Sequence, residues 1–196
     1  MMTEKQMATL RKNNEESRAY TRDAIKGALF ILSKRKPYET ITVTDIINKS
    51  GVSRSAFYRN YKSKEDVLFD VLDTLLKELS TTINKNLEHN LRAVISMVNE
   101  NYDSLKILID AGKEYHILDI LDKRVSYGED RYEAYIWNGL VYTIIIDMLK
   151  NRFNHDEDNM VFGIMKALRT FSDRILNYEG VFPDRISYLG EKENQL

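Results

Sequence analysis

Apolar residues recur at intervals of three and four along most of the chain, the spacing that lines one side of an α-helix. Ile25, Ala28, Leu29 and Leu32 form the first such stripe and predict a helix from about Glu16 to Lys34, which Pro37 ends. The polar residues 1–14 read as a disordered arm ahead of it. Ile46 and Ile47 give a short second helix its buried side, with Thr42 or Thr44 as its cap, and Gly51 breaks it. Ser53 caps a third helix reaching about Asn60. Ser63 caps a fourth, through Val67, Leu68, Val71, Leu72, Leu75 and Leu79 to about Asn84, and Glu65 and Asp66 suit its positive N-terminus. Further helices are expected near 88–100, 102–111, 114–126, 129–153 and 157–178.

Only 2 Pro and 8 Gly punctuate these segments, so the chain reads as all-α. The expected organisation is a disordered arm over 1–14, a three-helix head over 15–62, a helical body over 63–180 and an irregular tail over 181–196. Its 196 residues, 43% of them apolar, suffice for real cores in both parts. Cysteine is absent, which excludes disulfides and thiolate metal sites and suits a reducing cytoplasm. The polar opening residues lack the apolar run of a signal peptide, and Leu140 to Ile146 is too short to span a bilayer. A cytoplasmic protein with no membrane partner is therefore expected.

The net charge of −1 conceals an asymmetry. Residues 1–64 carry fourteen Lys or Arg against six Asp or Glu, a net of +8, and the remainder carries −9. A basic head on an acidic body points to a polyanion that meets the head alone.

The segment ITVTDIINKSGVSRSAFYRNYKSKEDVL, residues 41–68, holds the candidate chemistry. Two short helices around Gly51 have the proportions of a helix-turn-helix. Val43, Ile46, Ile47, Val52, Phe57 and Tyr61 are spaced to form its core. The opposite side of the second helix shows Ser53, Arg54, Ser55, Tyr58 and Arg59, all hydrogen-bonding residues with no acid to repel phosphate. Arg54 can bond bidentately to a guanine, a contact that discriminates by about 1–3 kcal/mol. The two serines, Tyr58, Arg59 and Asn60 are candidates for further base or phosphate contacts, as is Lys64. Thr42 and Thr44 offer hydroxyls and helix N–H groups to another phosphate.

In these residues the chain resembles the tetracycline-repressor (TetR) family of one-component regulators. The resemblance rests on Ile25, Ala28-Leu29-Phe30, Thr42-Val43-Thr44-Asp45-Ile46, Gly51-Val52-Ser53-Arg54-Ser55, Phe57-Tyr58 and Ser63-Lys64-Glu65-Asp66-Val67, over about residues 18–70. Lys36-Pro37-Tyr38 replaces the usual Gly-Tyr turn, and Asn60-Tyr61 replaces a Tyr-Phe or His-Phe pair. The resemblance implies a ligand-responsive repressor that grips a palindromic operator as a homodimer through its last two helices.

The body supplies candidates for both implied roles. Leu140 and Ile144, within an apolar run, and Gly163, Ala167 and Phe171 on the next helix are candidate dimer contacts. Tyr102, Tyr115, His116, Trp137 and Tyr142 are candidates to line a pocket for a small-molecule effector. No cofactor, metal or catalytic site is expected: His89, His116 and His155 lack a second histidine at helical spacing, and no phosphate-loop motif occurs. His155 and the acids after it read as a helix start. The rival reading is a helical small-molecule-binding or scaffolding protein whose helix-turn-helix does not bind DNA.

Overall fold

The computed structural model describes residues 3–125, 128, 131–151 and 156–176. Every regular element among them is helical: α1 (Glu4–Ser33), a 3-10 turn (Tyr38–Thr40), α2 (Val43–Ser50), α3 (Arg54–Asn60), α4 (Lys64–Thr82), α5 (Leu87–Glu100), α6 (Tyr102–Asp110), α7 (Tyr115–Asp122), α8 (Arg131–Lys150) and α9 (Glu157–Leu176). The chain divides into two units, the second holding α9. No helix of the described residues is long and apolar enough to cross a membrane.

The arm expected over 1–14 is helical from Glu4 onward. Thr3 and Gln6 form a reciprocal capping box, each side chain bonding the other residue's backbone N–H, and this starts α1 earlier than its apolar stripe does. Side chains stay exposed from residue 3 through 20, and the first buried one is Ile25.

In the first unit α1 packs on α2, α3 and α4, so the head's core grows from one side of α1. Ile25, Ala28 and Leu29 meet Ile41, Ile46 and Phe57 in that core, all nearly inaccessible. Val43, Ile47 and Val52, also expected there, are half-buried. The body surrounds α4 and α8: α4 also contacts α5, α6 and α7, and α8 lies against those same three helices. Leu68, Leu72 and Leu76 on α4, Leu91, Val94 and Ile95 on α5, and Val141 and Ile145 on α8 supply its core.

Two buried asparagines join neighbouring elements, and each is hydrogen-bonded, as burial of an amide requires. Asn90 accepts from Asn84 N–H at 2.9 Å and donates to the Asn84 carbonyl at 2.7 Å, closing the α4–α5 connection. Asn138 donates to Asp122 at 2.9 Å and ties α8 to the end of α7.

Ile144, expected at the dimer contact, is buried and 5% exposed. It shares an inward stripe with Val141, Ile145 and Met148, the i, i+3, i+4, i+7 face of α8. Leu140 is half-buried. The exposed apolar groups of α8 lie nearer its start, at Tyr132, Tyr135 and Ile136. Within the second unit, Gly163, Ala167 and Phe171 are exposed on α9, with Phe162 and Met165. The 181–196 tail and the helix start at His155 lie outside the described residues.

Candidate nucleic-acid interface

The site is assembled from three local devices. At the start of α2, the Thr42 hydroxyl accepts from Asp45 N–H at 3.1 Å while the Asp45 carboxylate accepts from Thr42 N–H at 2.8 Å, closing a capping box. Lys36 donates to the same carboxylate at 2.7 Å. That bond, followed by those from Thr42, holds the Asp45 carboxyl below its ordinary range. The Thr-x-x-Asp spacing carried this signal; the Lys36 partner, across the Pro37 turn, did not show in the local pattern. The second device is Gly51, whose φ of 71° ends α2 in the left-handed region that glycine enters freely. Third, Ser53 caps α3, its Oγ accepting from Ala56 N–H at 3.1 Å.

Packing then orients α3. Phe57 is fully buried and Tyr61 is 4% exposed, so one side of the helix points into the head. The other side presents Ser53, Arg54, Ser55, Tyr58 and Arg59, all exposed. The Tyr58 ring stands edge-on to Phe57, with centroids 5.4 Å apart, and remains 46% exposed. The Arg54 guanidinium lies 5.5 Å from the Tyr58 ring centre, a cation–π contact one helical turn long. Ser53 and Ser55 share a hydrogen bond at 3.0 Å. Among the described residues Arg54 meets Tyr58 and no acid, which leaves its guanidinium donors open.

The structure places the remaining candidates less uniformly. Thr44 is exposed in the first turn of α2, whereas the Thr42 hydroxyl and N–H both serve the capping box. Asn60 turns its amide back to the Ala56 carbonyl at 2.8 Å and is half-buried. Lys64 is drawn inward: its ammonium donates to the carbonyls of Tyr38, Glu39 and Ile41 at 2.8, 3.2 and 2.9 Å, and sits 4.3 Å from the Tyr38 ring centre. Three donors meet three acceptors, so in this arrangement Lys64 clamps the turn before α2 to the start of α4.

Sequence reasoning missed the joint behind the reading helix. Tyr61 donates to Asp70 on α4, and Arg22 and Lys26 of α1 pair with the same carboxylate. Arg22 and Lys26 are far from Asp70 in the chain, and only the packing of α1 on α4 brings them to it. A cleft of about 560 Å³ opens beside the joint, lined by Tyr58, Arg59, Phe69, Asp73, Lys123 and Arg124, among others.

The effector candidates are spread over the body. Tyr102 is half-buried on α6, and its hydroxyl lies 3.5 Å from the Leu149 carbonyl. His116 packs tilted against Phe69 with centroids 3.7 Å apart and touches Tyr115, itself half exposed. Burial pushes the His116 imidazole below its ordinary value, against the pull of Asp119. Trp137 and Tyr142 are half-buried on α8.

Comparison with known proteins places this architecture. Residues 28–71 match the model of the bacterial regulatory proteins of the tetR family. An uncharacterized HTH-type transcriptional regulator of Bacillus subtilis, YfiR, is 27% identical over 110 residues, covering 53% of this chain and 54% of that protein. A second from the same organism, YxbF, is 35% identical over 60 residues, 30% of this chain and 16% of that protein. The chain thus spans about half the length of the first relative and less of the second. The crystal structure of Lin0861 from Listeria innocua shares the fold, with a TM-score of 0.66 at 17% identity over 78% of this chain and 91% of that one. The matched segment runs from the α1 stripe through α2 and α3 into α4, so the head of this chain carries the helix-turn-helix of the TetR family of bacterial regulatory proteins.

Proposed function

We propose that this chain is a DNA-binding transcriptional regulator, a homodimeric repressor that lays α3 of each protomer into the major groove of a palindromic operator and releases it on binding a small-molecule effector. The observation that carries the reading is the outward face of α3: Arg54, Tyr58 and Arg59 stand exposed on a capped helix that itself carries no acid. The major groove admits one α-helix, and side chains at its N-terminal end reach base edges. Arg54 is the proposed base reader. Ser53, Ser55, Tyr58, Arg59 and Thr44 are the proposed phosphate and secondary contacts. Thr42 and Asn60 contribute through the backbone geometry they hold, and Lys64 through its clamp.

Two protomers are needed because one short helix holds DNA weakly and two-fold dimers read half-sites about 34–36 Å apart. Exposed apolar groups support an interface on each unit: Tyr132, Tyr135 and Ile136 on α8, and Phe162, Met165 and Phe171 on α9. An effector in the body, among residues such as Tyr102, Tyr115, His116, Trp137 and Tyr142, would favour a shape in which the two reading helices no longer match successive grooves. A reducing cytoplasm is the compartment this role requires.

Selection of bound duplexes from a random pool, followed by affinity measurement across a salt series, tests the reading. An inverted repeat and a steep fall of log affinity with log salt are expected. Absence of binding at low salt would favour a scaffolding or small-molecule-binding protein on the same fold.

A further inference from the structure

We infer that the helical extension of α1, Glu4 to Tyr20, is a second nucleic-acid contact, which with the C-terminal end of α3 seats the phosphate backbone flanking each half-site. This rests on the reading of α3 as the helix that enters the major groove. The extension has no place in the head's core, because every side chain on it is exposed and burial begins at Ile25. Its seventeen residues project along about 25 Å at the rise of an α-helix. A helix exposed on all sides gains nothing from packing within its own chain and is marginal by propensity alone. Its sequence is nonetheless capped at the start by Thr3 and Gln6.

The side of the extension nearest α3 has a definite chemistry. A polar groove of about 470 Å³ is lined by Arg11, Asn14, Glu15 and Arg18 of α1 with Arg59 and Asn60 of α3. Arg11 and Arg18 are seven residues apart, two turns, and share one side of the helix. Neither they nor Arg59 makes an ion pair or hydrogen bond among the described residues, although Glu15 stands in the same groove. The arginines turned toward the body differ: Arg22 is bonded to Asp70, and Arg124 to Asp73. Three uncompensated guanidinium groups against one carboxylate make the groove a place for anions. Arg59 and Asn60 belong both to the groove and to the reading helix, so a DNA strand leaving α3 is led into it. The lining is polar, with Met7 and Leu10 outside it, which suits a phosphate backbone and not an apolar peptide.

The experiment uses the full chain and its selected inverted-repeat duplex in two lengths, trimmed to the half-sites or extended by about ten base pairs on each side, one further turn of duplex. Wild type is compared with Arg11→Ala/Arg18→Ala and with Lys77→Ala/Lys85→Ala, which removes the same charge from exposed positions outside the groove. Wild type is expected to bind the longer duplex more tightly. The arginine variant should lose that gain, and its salt slope on the longer duplex should become shallower by about 3.6, four phosphate contacts' worth over the two protomers, with base preference unchanged. The lysine variant should match wild type. Equal slopes for wild type and the arginine variant, or equal losses in both variants, overturn this inference and leave the role of α3 intact. If wild type binds neither duplex, both readings fall.

Discussion

The Tyr61 hydroxyl donates to Asp70 Oδ2 at 2.7 Å, joining the residue that ends the reading helix to the second turn of α4. Asp70 also receives Arg22 and Lys26 from α1, so one carboxylate holds three elements of the head–body joint. Tyr61→Phe removes only the phenol's share of it. A lost hydrogen bond to a charged group costs about 1.5–3 kcal/mol, and the remaining cations on Asp70 place this variant at the lower end. A lowered urea midpoint with unchanged base preference is the expected result.

The same phenol predicts an alkaline limit. Burial, reinforced by Asp70, raises the Tyr61 pKa above its ordinary value of 10.0, and burial with Glu65 does the same to Tyr38. A group whose folded pKa is raised contributes stability that is complete below the unfolded pKa and is lost as pH climbs toward the folded one. Stability should therefore fall with rising pH from about 10 upward, where the unfolded chain's tyrosines ionise first. Tyr38→Phe/Tyr61→Phe should show a shallower decline over that range in thermal melts at stepped pH.

Arg54→Ala should remove discrimination at about one base pair per half-site, worth about 1–3 kcal/mol there, while other positions of the operator keep their preferences. Competition among operator variants measures it. An unchanged preference would move the base-reading role to another residue of α3.

Lys64→Ala tests a role the chain order does not suggest. Its loss removes the ammonium donor from the carbonyls of Glu39 and Ile41 and leaves Tyr38 O with Ile41 N–H alone, so a loss of stability of about 1–3 kcal/mol is expected by chemical denaturation. Affinity should fall equally for all DNA sequences, with the salt slope unchanged, because no phosphate contact is removed. A slope shallower by about 1.8, one contact per protomer, would instead return Lys64 to the backbone.

Gly51→Ala isolates the turn. Beyond its chain neighbours, an added Cβ meets no atom of the described residues within 4 Å, so only the positive φ resists it. The left-handed conformation costs an L-residue about 1–2 kcal/mol, which should appear as a lowered melting temperature and weaker binding to all duplexes.

Helix positions and the reading face were legible because their causes are local. Ser53, Ser63 and the 3.6-residue stripes act within one or two turns, and the alternation of Phe57 with Tyr58 sets which side of α3 faces outward. The helical start at Glu4 was equally local, written in Thr3 and Gln6, but a polar segment without an apolar stripe reads as unstructured. Three matters belonged to tertiary structure alone. Lys64 met three carbonyls from a turn more than twenty residues earlier, Asp70 gathered Arg22, Lys26 and Tyr61, and Ile144 turned inward on a helix whose apolar residues surround it. Periodicity states that a helix has a side to bury, whereas only the neighbours brought to it by the folded chain decide which charges are spent and which side is left open.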